Sequence, residues 1–467
     1  MEQQRIEVDA LGERRLPVDA LYGIHSLRGH DNFPYSGETL AQYPAFVKWL
    51  AQTKMVIAQV NAQHGKLNAA QCEAVVMACV ELAEGHHTAA LIVDPLEGSC
   101  GTSINMNINE VLTNRALQLM GHQPGEYAFL HPLDHVNYAQ STSDVLLTAA
   151  KLALLEELDL LSAAVGHLAA SLREKAREFE GILRIGRTCL QDALPMRLSQ
   201  AVSGYASLAQ RMTAALDAHV PALSTTALGA TAVGTGLGTY RGYRQTVTSA
   251  LADLVGRPLT PAEDLFDSAQ NMDEFAALSS TVKTTMLALA KVANDLVLLS
   301  SGPQDGIGEV RLAARQAGSS MMPGKVNPVH AMGLTQSAYF VAGADQSVML
   351  AAAHGQLETN NYMPLIAVSL FKAFGTARRS IAMFDEHCVR PMIAEREVNE
   401  RNLLTSTAIA PALKEALGYE RTAALVTKAV ESGGPLIEIV ETEGVMSREH
   451  LLGLLHRSSQ HPDTLPS

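Results

Sequence analysis

Asp144-Val145-Leu146-Leu147-Thr148-Ala149-Ala150-Lys151-Leu152-Ala153-Leu154-Leu155-Glu156-Glu157-Leu158-Asp159-Leu160-Leu161 opens a stretch that reads as unbroken helix to about Glu180. Leu146, Leu147, Leu154, Leu155, Leu158 and Leu161 recur at spacings of three, four and seven, which gathers them on one broad face. Carried outward, the same reading predicts a helix over Ser199 to about Val220, ended by Pro221, and another over Asp273 to Ser301, closed by Gly302-Pro303. Ser337 to His354 and Leu365 to about Val389 read as two more. Strand-like alternation is scarce and aromatic residues are only 5%. Helices this long, apolar over much of their circumference, predict a mainly α protein built on a long central bundle, buried against further copies of itself.

The chain of 467 residues is long enough for two or three domains. The expected division is an N-terminal domain over 1–143, a central helix bundle over 144–395 and a small helical C-terminal domain over 396–467. Hydrophobic residues at 47% and charged residues at 18% are ordinary for a globular protein. A net charge of −13 argues against nucleic acid or an anionic membrane as partner. No signal peptide is expected, because Met1 to Asp19 is charged throughout. The longest uncharged run, Ala218 to Tyr240, holds Pro221 and four glycines and reads as loop and turn, not as a membrane span. Five scattered cysteines without a CxxC motif predict a reduced, cytoplasmic protein.

Between the helices lies Gly318-Ser319-Ser320-Met321-Met322-Pro323-Gly324-Lys325-Val326-Asn327-Pro328. Its glycines permit backbone that other residues resist, and its prolines forbid a regular helix or central strand. A polar loop of this kind on a rigid scaffold is a frequent home for catalytic groups. Three further polar segments are read at helix starts: Gly98 to Ser103, His135 to Asp144 and Gly186 to Asp192. Taken singly, capping is the commoner role of their Ser and Thr residues. Together, hydroxyls, helix-start N–H groups, a lysine and an asparagine suit a dicarboxylate. Gly234-Thr235-Gly236-Leu237-Gly238 lacks the third glycine of a dinucleotide loop. His131 and His135 have metal spacing but no obvious third ligand, and no metal or cofactor is expected.

In chain order these segments resemble blocks of the aspartase/fumarase superfamily. The matches are GTSxNMNxNEV (Gly101 to Val111), HVNxxQSTND (from His135), GRTxLQDA (Gly186 to Ala193), LGATAxGTGL (Leu228 to Leu237) and GSSxMPGKVNP (from Gly318). The opening Asp19 to Arg28 is similar to the form found in aspartate ammonia-lyases and less like that of fumarases. The resemblance runs from about residue 5 to 460. It implies a three-domain fold of that type, a homotetramer with a shared helical core and active sites shared between subunits. It implies anti elimination from a succinyl substrate with release of fumarate. Ser319 would be the general base; Thr102, Ser141, Thr142 and Ser320 would hold one carboxylate, and Thr188, Lys325 and Asn327 the other. Removing a proton beside a carboxylate creates a dianionic enediolate, which such donors would stabilise.

The chain departs from the family pattern where the leaving group is expected. Ser143 stands where relatives carry Asn, Cys189 where they carry His or Gln, and Met332 where aspartases carry Glu. An ammonium group without acceptors in a closed site is costly, so a bulkier or less polar leaving group suits this set. Three readings follow. The first is a carbon–nitrogen lyase acting on aspartate or a close analogue. A fumarase-like hydro-lyase is disfavoured by the opening and Cys189, and a non-catalytic structural homologue by the retained hydroxyls and Lys325.

Overall fold

A computed structural model describes residues 3–460. The protein is mainly α, as the periodicity predicts. Its longest helices are Pro44–Gln63 (α1), Thr102–Leu119 (α2), Thr142–Glu178 (α3), Leu198–Asp217 (α4), Asp273–Leu299 (α5), Val329–Ala353 (α6) and Met363–Phe384 (α7). Only two-stranded sheets occur among the described residues. α3 opens where the Asp144 carboxylate accepts the Ser141 N–H at 2.9 Å and closes on Lys175 and Arg177, charges that suit the two ends of a helix dipole. Its leucines through Leu161 are fully buried, apart from the exposed Leu160.

The boundaries correct several sequence expectations. Pro221 does not end α4, which stops at Asp217; it sits in the first turn of a short helix, Val220–Leu223, where a missing N–H costs nothing. α6 starts eight residues earlier than Ser337, directly after Pro328, because the polar residues there are carried on its first turns. The last stretch before Val389 is a π-helical turn, Asp385–Val389, beyond α7. Gly186 to Asp192 does not start a helix. It is the tip of an antiparallel hairpin, Leu183–Thr188 (β1) and Gln191–Arg197 (β2).

The chain divides into two compact units. The first comprises 1–161, 215–284 and 340–376, and the second 162–214, 285–339 and 377–467. In the first, α1 packs on the helix Ala69–Ala83, and that helix on α2. Glu110 of α2 holds the start of the helix Ile24–Asn32, accepting the N–H groups of Gly23 at 2.8 Å, His25 at 2.9 Å and Ser26 at 3.0 Å. These are the orphan donors of a helix start whose own cap residue supplies no side chain. A β-carbon on Gly23 would stand 2.6 Å from the Glu110 carboxyl carbon, so only glycine admits this capping from afar.

In the second unit the short C-terminal helices from Arg396 to Ser458 share one apolar core. Leu403, Ile409, Leu413, Leu425, Leu436 and Leu455 meet there, together with Leu183 and Ile185 of β1. The hairpin is thus anchored at its base by apolar packing and further along by charge. Glu309 is fully buried; it accepts a hydrogen bond from Arg187 at 2.7 Å and lies 3.0 Å from Arg184. The Arg184 contact is an ion pair at bonding distance but is misaligned, so that oxygen of Glu309 has no hydrogen bond.

Candidate active site

The residues selected from the sequence fall into two groups. Thr102, Ser141, Thr142 and Ser143 belong to the first unit; Thr188, Cys189, Ser319, Ser320, Lys325, Asn327 and Met332 belong to the second.

In the first group, Thr102 is the first residue of α2 and Thr142 the first of α3. Gly101, at φ 88°, brings the two starts together: a β-carbon there would stand 2.2 Å from Leu146 and 3.3 Å from the Thr142 methyl. Capping does not account for Thr102, since the cap residue of α2 is Gly101, with no side-chain bond. It accounts in part for its neighbours, because Ser99 Oγ accepts the Ser103 N–H at 3.1 Å. Ser143 Oγ lies 3.5 Å from Thr359 Oγ1, beside a small recess that Cys100, Leu146, Met272 and Met363 also line.

Beneath this corner lies Asp144, fully buried, its carboxylate taking N–H groups from Ser141, Gly229 and Thr231. Burial pushes its carboxyl up to about 7 in spite of those donors. Lys54 is buried nearby and burial pulls its ammonium down to about 7, against the opposing pull of Cys79 and Asp144. The sequence reading missed Lys54, Asn105 and Asn137. The signal was present in Asn105, Asn107 and Asn109, three asparagines at alternate positions of a helix that proves buried all round.

In the second group one loop carries Ser319, Ser320, Lys325 and Asn327. Its neck is closed by Gly318 N–H to Lys325 O at 2.8 Å and by Asn327 Nδ2 to Gly318 O at 2.7 Å. Ser319 Oγ accepts the N–H groups of Met321 at 3.1 Å and Met322 at 3.0 Å. Two backbone dipoles aimed at one hydroxyl oxygen favour its ionised form. Lys325 is exposed and forms no ion pair among the described residues, leaving its charge for an anion. Thr188 ends β1, and Cys189 and Leu190 form the hairpin tip with φ of 53° and 60°. Left-handed backbone at two adjacent residues that are not glycine is strained, and such strain gathers at functional sites. Met332 is half exposed on the first turn of α6.

A separate cavity of about 790 Å³ in the first unit holds none of these residues. Its walls set Glu263, Asp264, Asp267, Asp273 and Glu274 against Lys151 and Arg244, a poor balance for a dianion. Volume and chemistry thus disagree, and the chemistry decides.

The model of the family described as "Lyase" matches residues 12–343. The chain is 41% identical over 452 residues to the aspartate ammonia-lyase of Pseudomonas aeruginosa, covering 97% of this chain and 95% of that one. To the aspartate ammonia-lyase of Bacillus subtilis it is 37% identical over 449 residues, covering 96% and 94%. Among solved structures, the fumarate lyase:delta crystallin from Brucella melitensis bound to cobalt superposes with a TM-score of 0.94 at 37% identity, covering 98% of this chain and all of that one. The class II fumarase from Schistosoma mansoni superposes at 0.89 with 32% identity, covering 97% and 98%. The chain belongs to this lyase family, the aspartase/fumarase superfamily that its motifs resemble. It is an enzyme of the carbon–nitrogen lyase branch. No helix among the described residues is long and apolar enough to cross a membrane.

Proposed function

We propose that the protein eliminates an amine from L-aspartate or a close aspartate analogue to give fumarate, with Ser319 as general base. The observation that carries this is the pair of backbone N–H groups on Ser319 Oγ. As an alkoxide, Ser319 takes the proton from C3, and the electron pair of that C–H bond passes into the adjacent carboxylate as an enediolate. When the C–N bond breaks, the pair forms the double bond of fumarate, and the nitrogen, protonated in the substrate, takes both electrons of the C–N bond and leaves as the neutral amine. Thr102, Ser141, Thr142 and Ser320 donate to the carboxylate that takes up charge, and Thr188, Lys325 and Asn327 hold the other. Water must be excluded for such donors to act at full strength, which gives a closing motion of the Ser319 loop a role in the cycle.

The two groups of residues come together, on this reading, in a homotetramer whose sites are shared between subunits. Tyr339, Phe340 and Leu350 support it, as exposed large apolar residues along α6. The three-part division at 143 and 395 belongs to the same proposal. So does a cytoplasmic location, with which five free thiols agree. Ser143, Cys189 and Met332 are the proposed leaving-group contacts. The apolar side chains of Leu146, Met272 and Met363 beside Ser143 favour an amine less polar than ammonia.

The test is to incubate the full-length protein with fumarate and a panel of amines, and with fumarate alone, and to identify products by mass spectrometry. An N-substituted aspartate or aspartate itself, formed by wild type and lost in Ser319→Ala, is the expected result. Malate as the only product would make the enzyme a hydro-lyase. Ser319→Ala activity within about tenfold of wild type, about 1.4 kcal/mol of barrier, would remove Ser319 as the base.

A further inference from the structure

The corner formed by Ser141 and Thr142 rests on a buried lysine that the elimination itself does not use. Lys54 is 1% exposed, and its ammonium donates to Gln140 Oε1 at 2.9 Å and reaches Asn137 Oδ1 at 3.5 Å. We propose that Lys54, Asn137 and Asn105 form a hydrogen-bond relay whose polarity obliges the Thr142 hydroxyl to give its proton outward, to the substrate carboxylate. The inference rests on the reading of Thr142 as a carboxylate contact and makes the three residues positioning residues for it.

The direction of the relay follows from what each group is able to do. Lys54 faces amide oxygens whose orientation is set by their own nitrogens, so it donates to them whether or not it is protonated. The Asn137 amide is fixed independently, because its Nδ2 donates to the Gln140 carbonyl at 3.3 Å. Its Oδ1 therefore faces Lys54 and also takes Nδ2 of Asn105 and of Asn109, each at 3.1 Å. Turning the Asn105 amide over would set its oxygen against that of Asn137. So Asn105 shows Nδ2 on this side, and the same nitrogen donates to Thr142 Oγ1 at 3.2 Å. A hydroxyl oxygen that accepts from an amide keeps its own proton free. Among the described residues that proton has no acceptor on the protein, and Thr142 is half-buried at the first position of α3.

The arrangement has a visible cost. Asn105 Oδ1 and Asn109 Oδ1 are both buried without a hydrogen-bond partner. Unpaired buried amide oxygens are rare in folded proteins and call for a reason. A core that needed only packing would carry apolar residues there. A relay that needs every amide turned the same way accepts the orphan oxygens as a consequence. Gln140 is held in the same sense, its Nε2 on the carbonyls of Val136 at 2.7 Å and Tyr138 at 3.3 Å, so its oxygen is left to meet Lys54.

The probe is succinate, a dicarboxylate with no leaving group, titrated calorimetrically into the assembled full-length protein. Thr142→Val should weaken it about tenfold, since hydrogen bonds to charged groups are among the stronger ones, and Thr142→Ser should restore it. Asn105→Ala should weaken it by a similar factor in the wild-type background and have no further effect in Thr142→Val. Asn105→Asp keeps the shape, sets an acceptor against Thr142 and should weaken succinate equally; it carries the cycle if the alanine variant fails to assemble. Equal losses from Asn105 replacement in both backgrounds, or none in either, would overturn the relay while leaving Thr142 on the carboxylate. Unchanged affinity in Thr142→Val would overturn the carboxylate reading of Thr142 and the relay with it.

Discussion

Gly318 gives its N–H to the carbonyl of Lys325 at 2.8 Å, and a β-carbon on Gly318 would stand only 2.5 Å from that same oxygen. The neck of the Ser319 loop is therefore closed by a contact that admits no side chain. Gly318→Ala must open it, because the clashing atom is backbone. The expected outcome is a fall in kcat of about tenfold or more, about 1.4 kcal/mol, with little change in melting temperature. Steady-state kinetics and thermal unfolding of one preparation would show it; unchanged kinetics would mean that the neck does not hold the loop for catalysis.

Lys325→Met should raise KM for a dicarboxylate and also lower kcat. The substrate would lose a full charge at an exposed side chain that has no ion-pair partner among the described residues. A loss confined to stability, with kinetics intact, would place the lysine outside the site.

Glu309 is fully buried and faces two arginines, accepting a hydrogen bond from the half-buried Arg187 and pairing by charge alone with the buried Arg184. Glu309→Gln removes the carboxylate that faces both guanidinium groups, and breaking a buried ion pair costs about 3–5 kcal/mol. Because Arg187 precedes Thr188 on β1, the variant should also loosen substrate binding. Chemical denaturation and KM measured together test both; a stable variant with normal KM would show that apolar packing of Leu183 and Ile185 alone positions the hairpin.

The leaving-group set predicts a gain of function. Ser143→Asn, Cys189→His and Met332→Glu combined should raise activity on L-aspartate by restoring acceptors for an ammonium group and a carboxylate to orient the imidazole. The three belong in one variant, since neighbouring changes do not add. Fumarate absorbance at about pH 8, where an ordinary histidine is neutral, reports it. A wild type that already turns over L-aspartate at usual enzyme rates would contradict the premise that ammonia is a poor leaving group here.

Glu81 supplies a pH test of stability. Its hydrogen bond to Arg115, with a further one from His87, holds its carboxyl at about 2, below the ordinary 4.5. A carboxyl lowered on folding contributes stability that is fully present above the unfolded value and is lost as pH falls through the folded one. The contribution should therefore decline between pH 4.5 and 2 and be unchanged at higher pH. Glu81→Gln should lower stability by about 1 kcal/mol at pH 7, a modest figure because the pair is partly exposed, and by only a small fraction of that at pH 2. Equal effects at both pH values would show that packing, not charge, is what the side chain contributes.

By itself the sequence determined the helices and the family. Leucine spacing places α3, and Ala and Leu content with the Gly302-Pro303 stop places α5, because burying an apolar stripe at a helical period does not depend on which neighbour covers it. The loop from Gly318 to Pro328 was legible for the same local reason: its glycines and prolines constrain the backbone wherever they stand. Thr188 and Cys189 were placed at a turn, but the hairpin around them was not foreseen. Its register depends on the distant Glu309 and on the core of the C-terminal helices. Pro221 was misread because proline ends one helix and begins the next with equal ease, and only the surrounding chain decides which. Tertiary structure alone decided the fate of the asparagines. Asn105 and Asn137 are 32 positions apart, and a polar residue on a helix looks solvated until the fold buries it. Nothing in the sequence marks Lys54 as buried, yet the fold turns its amine to Gln140 and Asn137, because a polar group removed from water must be met by partners on the protein.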